Sequence, residues 1–139
     1  MEPPTRPDPP GRQALRILVV EDEPLLRWAL SESLTSAGHV VTAAEDGATA
    51  LRALDTRPLA IDVVLLDFRL PDSNDLGLLQ RVLHVAPGRP VVMMTACSTP
   101  ELTRDALALG AYRVVDKPFE LQAIEACLLE AHGTRRPPG

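Results

Sequence analysis

Ile17-Leu18-Val19-Val20-Glu21-Asp22-Glu23 is the stretch that decides the fold: four apolar residues, three of them β-branched, run directly into three carboxylates. The apolar part is too short for a helix and has no polar face, which suits a strand covered on both sides. The pattern recurs along the chain. Val63–Leu66 leads into Asp67, Val91–Met94 into Thr95, and Val114-Val115, after one more residue, into Lys117-Pro118. In an open parallel sheet the carboxyl ends of the strands lie along one edge, so groups far apart in sequence meet there.

Outward from these runs, segments of period 3.6 fill the gaps. Strands are expected at Ile17–Val20, Val40–Ala43, Ile61–Leu66, Val91–Met94 and Tyr112–Val115. The first helix should open at Pro24, a favoured first-turn residue, and stop at Gly38. Within it, Trp28 is expected to pack beside Leu25, Ala29 and Leu30. The second helix follows Asp46-Gly47 with Ala50, Leu51 and Leu54 on one face, and the third carries Leu76, Leu79 and Leu83. The fourth begins at Ser98-Thr99-Pro100-Glu101, where Ser98 and Glu101 have capping-box spacing, and ends at Gly110. The fifth covers residues 121 to 132. Five βα units with short loops give an α/β fold, a doubly wound parallel sheet with right-handed crossovers.

Composition narrows the function. A chain of 139 residues is about one domain. A net charge of −5 with no basic stripe argues against a nucleic-acid partner. The apolar runs fall far short of the roughly 20 residues that cross a bilayer. With no apolar signal-peptide core at the N-terminus, the protein is expected to be cytoplasmic, without membrane contact. Cys97 and Cys127 lack the paired spacing of zinc or redox sites; Cys127 falls in line with Leu121, Ile124 and Leu128 as core filler, and Cys97 lies near the shared edge. His39, His84 and His132 lie away from that edge and read as ordinary residues. Residues 1–13, with five prolines and few apolar groups, are expected to be disordered, as is the tail 133–139, leaving 14–132 as the folded domain.

Glu21, Asp22 and Asp67, brought together, repel: two carboxylates ~4 Å apart cost about 4 kcal/mol at an effective dielectric near 20. Three need a cation or a raised pKa. Oxygen ligands without His or Cys favour a hard ion, and Mg²⁺ fits because it keeps several waters and joins with phosphate. Lys117 brings a second positive charge to the same edge. Carboxylates, Mg²⁺, a lysine and a hydroxyl suit phosphoryl transfer, which runs on positioning and charge neutralisation. Asp67 is then the nucleophile that forms an aspartyl phosphate. Taken singly, each residue has a plainer reading. Glu21–Glu23 is an acidic turn before a helix, Asp67 a strand end, Thr95 structural and Lys117-Pro118 a surface turn. Their coincidence at four strand ends favours one pocket.

The motifs Ile17–Glu23, Ala44-Glu45-Asp46-Gly47, Leu66–Asp72, Met94-Thr95-Ala96 and Asp116-Lys117-Pro118-Phe119 resemble the CheY-like receiver domain of two-component response regulators, across residues 15 to 132. Arg27-Trp28-Ala29-Leu30, Met93–Ala96 and Gly110-Ala111-Tyr112 are similar, more narrowly, to receivers of nitrogen-regulation-type enhancer-binding activators. The resemblance implies a flavodoxin-like fold with strand order 2-1-3-4-5. It implies that Asp67 takes a phosphoryl group from a phosphohistidine of a sensor histidine kinase or histidine phosphotransfer protein. Asp22, Asp67 and the backbone carbonyl of Arg69 would bind Mg²⁺, with Glu21 acting through water. Lys117 would pair with the acyl phosphate, Thr95, with Ala96 beside it, would meet a phosphoryl oxygen, and the Lys117-Pro118 bond would be cis. Output would pass to a protein partner through the fourth helix, fifth strand and fifth helix, in a monomer or a phosphorylation-dependent homodimer.

Three positions depart from the pattern. Val114 stands where the family usually has a switch Tyr or Phe; Tyr112, two residues earlier, should share its side of the strand by period two. Asp75 stands where receivers usually have a Gly that permits positive φ, a conformation Asp tolerates better than most residues. Arg69 and Cys97, each two past a pocket residue, occupy positions that in this family influence phosphoryl lifetime. The expected function is a stand-alone receiver, or a piece of a larger regulator, controlled by phosphorylation and with no enzymatic activity beyond phosphorylation and dephosphorylation of its own Asp67. The competing reading is a degenerate receiver serving as a constitutive docking or dimerisation module, favoured by Val114 and Asp75. A Mg²⁺-dependent phosphatase is disfavoured by Arg69 where a second acid typically stands, and a flavin carrier by the acidic loop after the first strand.

Overall fold

The computed structural model describes residues 14–56 and 60–133, so the expectations for residues 1–13 and for 134–139 lie outside the described residues. Strands and helices alternate: β1 (Arg16–Val20), α1 (Pro24–Ser36), β2 (Val40–Ala44), α2 (Gly47–Thr56), β3 (Val63–Asp67), α3 (Gly77–Val85), β4 (Val91–Thr95), α4 (Pro100–Leu109), β5 (Arg113–Asp116) and α5 (Leu121–Gly133). The five strands form one parallel sheet in the order β2-β1-β3-β4-β5. This is the doubly wound α/β topology the strand and helix pattern predicts. Among the described residues no helix is long and apolar enough to cross a membrane.

The two-residue period of each strand divides the core in two. Ile17, Val19, Val63, Leu65, Val92 and Met94 face α1 and α5, where they meet Leu30, Leu34, Ile124 and Leu128. Leu18, Val20, Val64, Leu66, Val91 and Met93 face the opposite way, against Ala50, Leu54, Leu79, Val82 and Ala106 from α2, α3 and α4. β3 and β4 are buried at every position, whereas the edge strand β2 is mostly exposed and β5 is exposed or half-buried throughout. Cys127 is buried in the first of these cores and Cys97 is exposed.

Local details differ from expectation in instructive ways. Glu23 caps α1 by accepting the Leu26 amide at 2.7 Å, with Pro24 in the first turn. The cap of α4 is Thr99, which accepts the Leu102 amide at 3.0 Å; Ser98 instead hydrogen-bonds Asp116 at the end of β5, so the Ser98–Glu101 capping box does not form. Trp28 is 61% exposed and Leu25 70%. The buried stripe of α1 runs through Leu30 and Leu34, with Leu26 partly covered, and Trp28 lies two residues, some 200°, round from Leu30. In α3 the buried residues are Leu78, Leu79 and Val82, while Leu83, and Leu76 just before the helix, are only partly covered.

At the edge where the strands begin, two side-chain clasps tie the layers. His39 is buried: its Nδ1 accepts the Leu15 amide at 2.9 Å, which leaves Nε2 to donate to Glu125 of α5 at 2.9 Å. Arg16 grips Asp62 through Nε, Nη2 and its own amide, at 3.1, 3.0 and 2.8 Å. Burial alone would raise the Asp62 carboxyl, but the hydrogen bonds and charge of Arg16 outweigh it and hold the group below the usual carboxylate range. A folded-state pKa below the unfolded one stabilises fully above the unfolded value, near pH 4, and is lost as pH falls through the folded value. Arg16 is half-exposed, which limits the contribution. Asp62→Asn is therefore expected to cost about 1 kcal/mol in urea denaturation at pH 7. The gap to the wild type should shrink at pH 3; a gap unchanged between the two pH values would refute the ion-pair account.

Candidate functional site

Strand register builds the site. Val20 lies beside Leu66, so Glu21 leaves β1 level with Asp67, the last residue of β3. Asp67 lies beside Met94, which puts Thr95 one step further along the same edge, and Thr95 lies beside Asp116, which hands the chain to Lys117. Four strands thus deliver their terminal polar groups to one place, and the Lys117-Pro118 bond that follows β5 is cis.

The cleft they form has a volume of about 430 Å³ and is lined by Glu21, Asp22, Asp67, Arg69, Thr95 and Lys117, with Ala96 and Cys97 on its rim. Carboxylate oxygens of Glu21, Asp22 and Asp67 lie within 4.8 Å of one another. Glu21 is fully buried and Asp67 and Thr95 nearly so, while Asp22 is exposed. Lys117 Nζ donates to Glu21 Oε1 at 2.8 Å and to Asp67 Oδ2 at 3.1 Å. Burial pushes the Glu21 carboxyl up, against the hydrogen bonds from Lys117 and from the Glu23 amide at 3.0 Å. Burial would also lower the Lys117 ammonium, but its bond to Glu21 and the charges of Asp67 and Glu21 outweigh this and raise it. The lysine therefore stays charged at neutral pH.

The clustered ligand atoms are all carboxylate oxygens, the donor set of a hard divalent cation. Arg69 is exposed, with its amide 3.4 Å from Asp67 Oδ1. Thr95 Oγ1 accepts the Cys97 amide at 3.2 Å, which leaves its own proton to donate into the cleft.

Two sequence expectations need correction here. Tyr112 does not share a face with Val114: Tyr112 packs with the α1–α5 core and Val114 with the core of α2–α4. The strand begins only at Arg113, so Tyr112 precedes the pleat and escapes its period; its ring lies under the Arg113 guanidinium, 5.5 Å from the centroid. Asp75 does not take positive φ, since among the described residues only Gly38, Gly88 and Gly110 do. Its Oδ1 accepts the Gly77 amide at 2.8 Å, a local turn that leads into α3.

Sequence reading also missed two residues that brace the site. Arg27 Nη1 donates to the carbonyls of Glu21 and Asp22 at 3.0 and 3.3 Å, holding the acidic loop. The usable signal was its place one turn inside α1, where side chains lean back toward the helix N-terminus. The second is Asp72, whose carboxylate accepts the amides of Gly47 and Ala48 across the gap to α2. Nothing in the spacing of 72 and 47 marks that contact.

The sequence profile of the response regulator receiver domain matches residues 17–129. Among curated relatives, the DNA-binding transcriptional regulator NtrC of Escherichia coli K12 is 35% identical over 115 residues, 83% of this chain and 24% of that protein. The probable transcriptional regulatory protein TcrX of Mycobacterium tuberculosis is 37% identical over 112 residues, 81% of this chain and 47% of that protein. The chain thus spans less than half the length of either relative. Among solved structures, the receiver domain of NtrX from Brucella abortus aligns at 33% identity with a TM-score of 0.77, covering 85% of this chain and 98% of that one. The non-phosphorylated HemR receiver domain of Leptospira biflexa aligns at 31% identity with a TM-score of 0.81, covering 90% and 99%. The match over 17–129 takes in nearly the whole sheet and every residue of the cleft, and the chain belongs to the response regulator receiver domain family of two-component systems.

Proposed function

We propose that Asp67 accepts a phosphoryl group from a phosphohistidine of a sensor histidine kinase or a histidine phosphotransfer protein, and that the phosphorylated state alters binding to a protein partner. The observation that carries this reading is the pairing of a buried Asp67 with a charged Lys117 at 3.1 Å, in a cleft that also gathers Glu21 and Asp22. Attack by the Asp67 carboxylate forms its O–P bond as the P–N bond of the donor breaks and the imidazole leaves. Asp22, Asp67 and the Arg69 carbonyl would hold Mg²⁺, with Glu21 acting through water. When bound, the ion neutralises charge on the phosphoryl oxygens. Lys117 then pairs with the acyl phosphate, and Thr95 donates its hydroxyl proton to a phosphoryl oxygen. Arg27 keeps the Glu21-Asp22 loop in place through its two carbonyl contacts.

The output face would be α4, β5 and α5, where Leu107 and Leu109 of α4 are exposed. This reading makes the protein a cytoplasmic signalling module whose only chemistry is on its own aspartate. Val114, half-buried and without a ring, favours a second reading, a constitutive docking or dimerisation module that no longer switches.

Incubation with acetyl phosphate and Mg²⁺, followed by intact mass, separates the two. A single phosphoryl adduct is expected that requires Mg²⁺ and is absent in Asp67→Ala. No adduct from acetyl phosphate or from a phosphohistidine donor would leave the docking module. Lys117→Ala removes the cation that meets Asp67, and adduct formation should slow by about 100-fold. A rate within about threefold of wild type would remove Lys117 from the proposed chemistry.

A further inference from the structure

The loop between β3 and α3 forms one wall of the cleft through Arg69, Leu70 and Pro71. Directly after Arg69 it closes on itself: the Leu70 amide donates to the Ser73 carbonyl at 2.8 Å and the Ser73 amide to the Leu70 carbonyl at 3.1 Å. Leu70 is buried, and Pro71 and Asp72 form the tip, with Pro71 limiting the turn to one φ. From that tip Asp72 reaches sideways to α2. Its Oδ1 accepts the Gly47 amide at 2.9 Å and its Oδ2 the Ala48 amide at 3.0 Å.

These are the first two amides of α2, which have no partner inside the helix. The next, Thr49, is capped at 2.8 Å by Asp46. Two carboxylates therefore share one helix end: Asp46 is local, and Asp72 comes from 25 residues away on the wall of the cleft. Gly47 makes room for this approach. A Cβ there would stand 3.2 Å from Asp72 Oδ1 and 2.9 Å from a methyl of Leu78.

The loop is thus pinned at two points. Phe68 donates its amide to the Met94 carbonyl at 2.8 Å, and Asp72 holds α2. Arg69 lies between them, exposed, with its amide 3.4 Å from Asp67 Oδ1.

We propose that Asp72 is a positioning residue for the cation site: by clamping the β3–α3 loop to the N-terminus of α2 it holds the Arg69 carbonyl in register with Asp22 and Asp67. This rests on the reading above that Mg²⁺ binds those three groups. Asp72 itself touches neither the ion nor the phosphoryl group.

Mg²⁺ titrations followed by the amide NMR shifts of residues 21, 22 and 67 test this without any phosphodonor. Asp72→Ala is expected to weaken Mg²⁺ about tenfold, and Asp72→Asn, which keeps one acceptor oxygen, by about threefold. Asp46→Ala is the matched control, because it removes the other carboxylate from the same helix end; its Mg²⁺ affinity should stay within about twofold of wild type. Hydrogen exchange at Leu70 and Ser73 should be about fivefold or more faster in Asp72→Ala than in Asp46→Ala. Wild-type affinity in Asp72→Ala, or equal weakening in Asp46→Ala, overturns the proposal. A wild-type protein that binds no Mg²⁺ overturns it together with the metal site. Mg²⁺ binding without an acetyl phosphate adduct leaves the clamp standing and removes only the phosphoacceptor role.

Discussion

Lys117 Nζ stands 2.8 Å from Glu21 and 3.1 Å from Asp67, and through it the ends of β1, β3 and β5 are joined by one ammonium. Two carboxylates almost fully removed from water, with a third exposed beside them, would drive that edge of the sheet apart without a cation. The lysine is thus structural as well as the candidate partner of the proposed phosphoryl group. It offsets the charge of the Glu21 and Asp67 side chains where they are buried, and under the proposed function the same proximity would let it meet a phosphoryl group on Asp67. Register does the rest, because Lys117 reaches this point only if β5 pairs with β4 so that Asp116 lies beside Thr95.

The remaining architecture fastens the opposite edge of the sheet. Arg16 with Asp62, and Leu15 with His39 and Glu125, tie strand entries to a loop and to α5 at the far end of the sheet. On the cleft side the connections are loops, and three of them are braced by long-range or capping hydrogen bonds. Arg27 holds the β1–α1 loop, Asp72 the β3–α3 loop, and Ser98 joins the β4–α4 loop to Asp116. Each brace uses a polar side chain outside the cluster of charged groups, so the loops are positioned without adding ligands to the site.

Much of this was legible beforehand. Short apolar runs of β-branched residues, each ending in a polar group, identify buried parallel strands, and the spacing between them leaves room for one helix each. Runs of that kind place Glu21, Asp22, Asp67, Thr95 and Lys117 at strand ends, and a parallel sheet has only one edge where such ends can lie. The misreadings fall where period or motif competes with a specific contact. Trp28 fits an apolar list but not the arc of α1 that faces the core. Ser98 has cap spacing yet finds Asp116, and Thr99 takes its place. Tyr112 lies one residue outside the pleat that its period assumed.

The sequence by itself determined the order of elements, the strand order its motifs imply and the identity of the charged groups at the sheet edge. These follow from local patterning and from the few ways parallel βα units can be wound. Only the tertiary structure decided which buried carboxylates share the lysine, which side of the sheet Tyr112 and Val114 occupy, and that Arg27 and Asp72 brace the loops. Those outcomes depend on distances between groups 5 to 96 residues apart, set by register and helix rotation, which no one-dimensional spacing records.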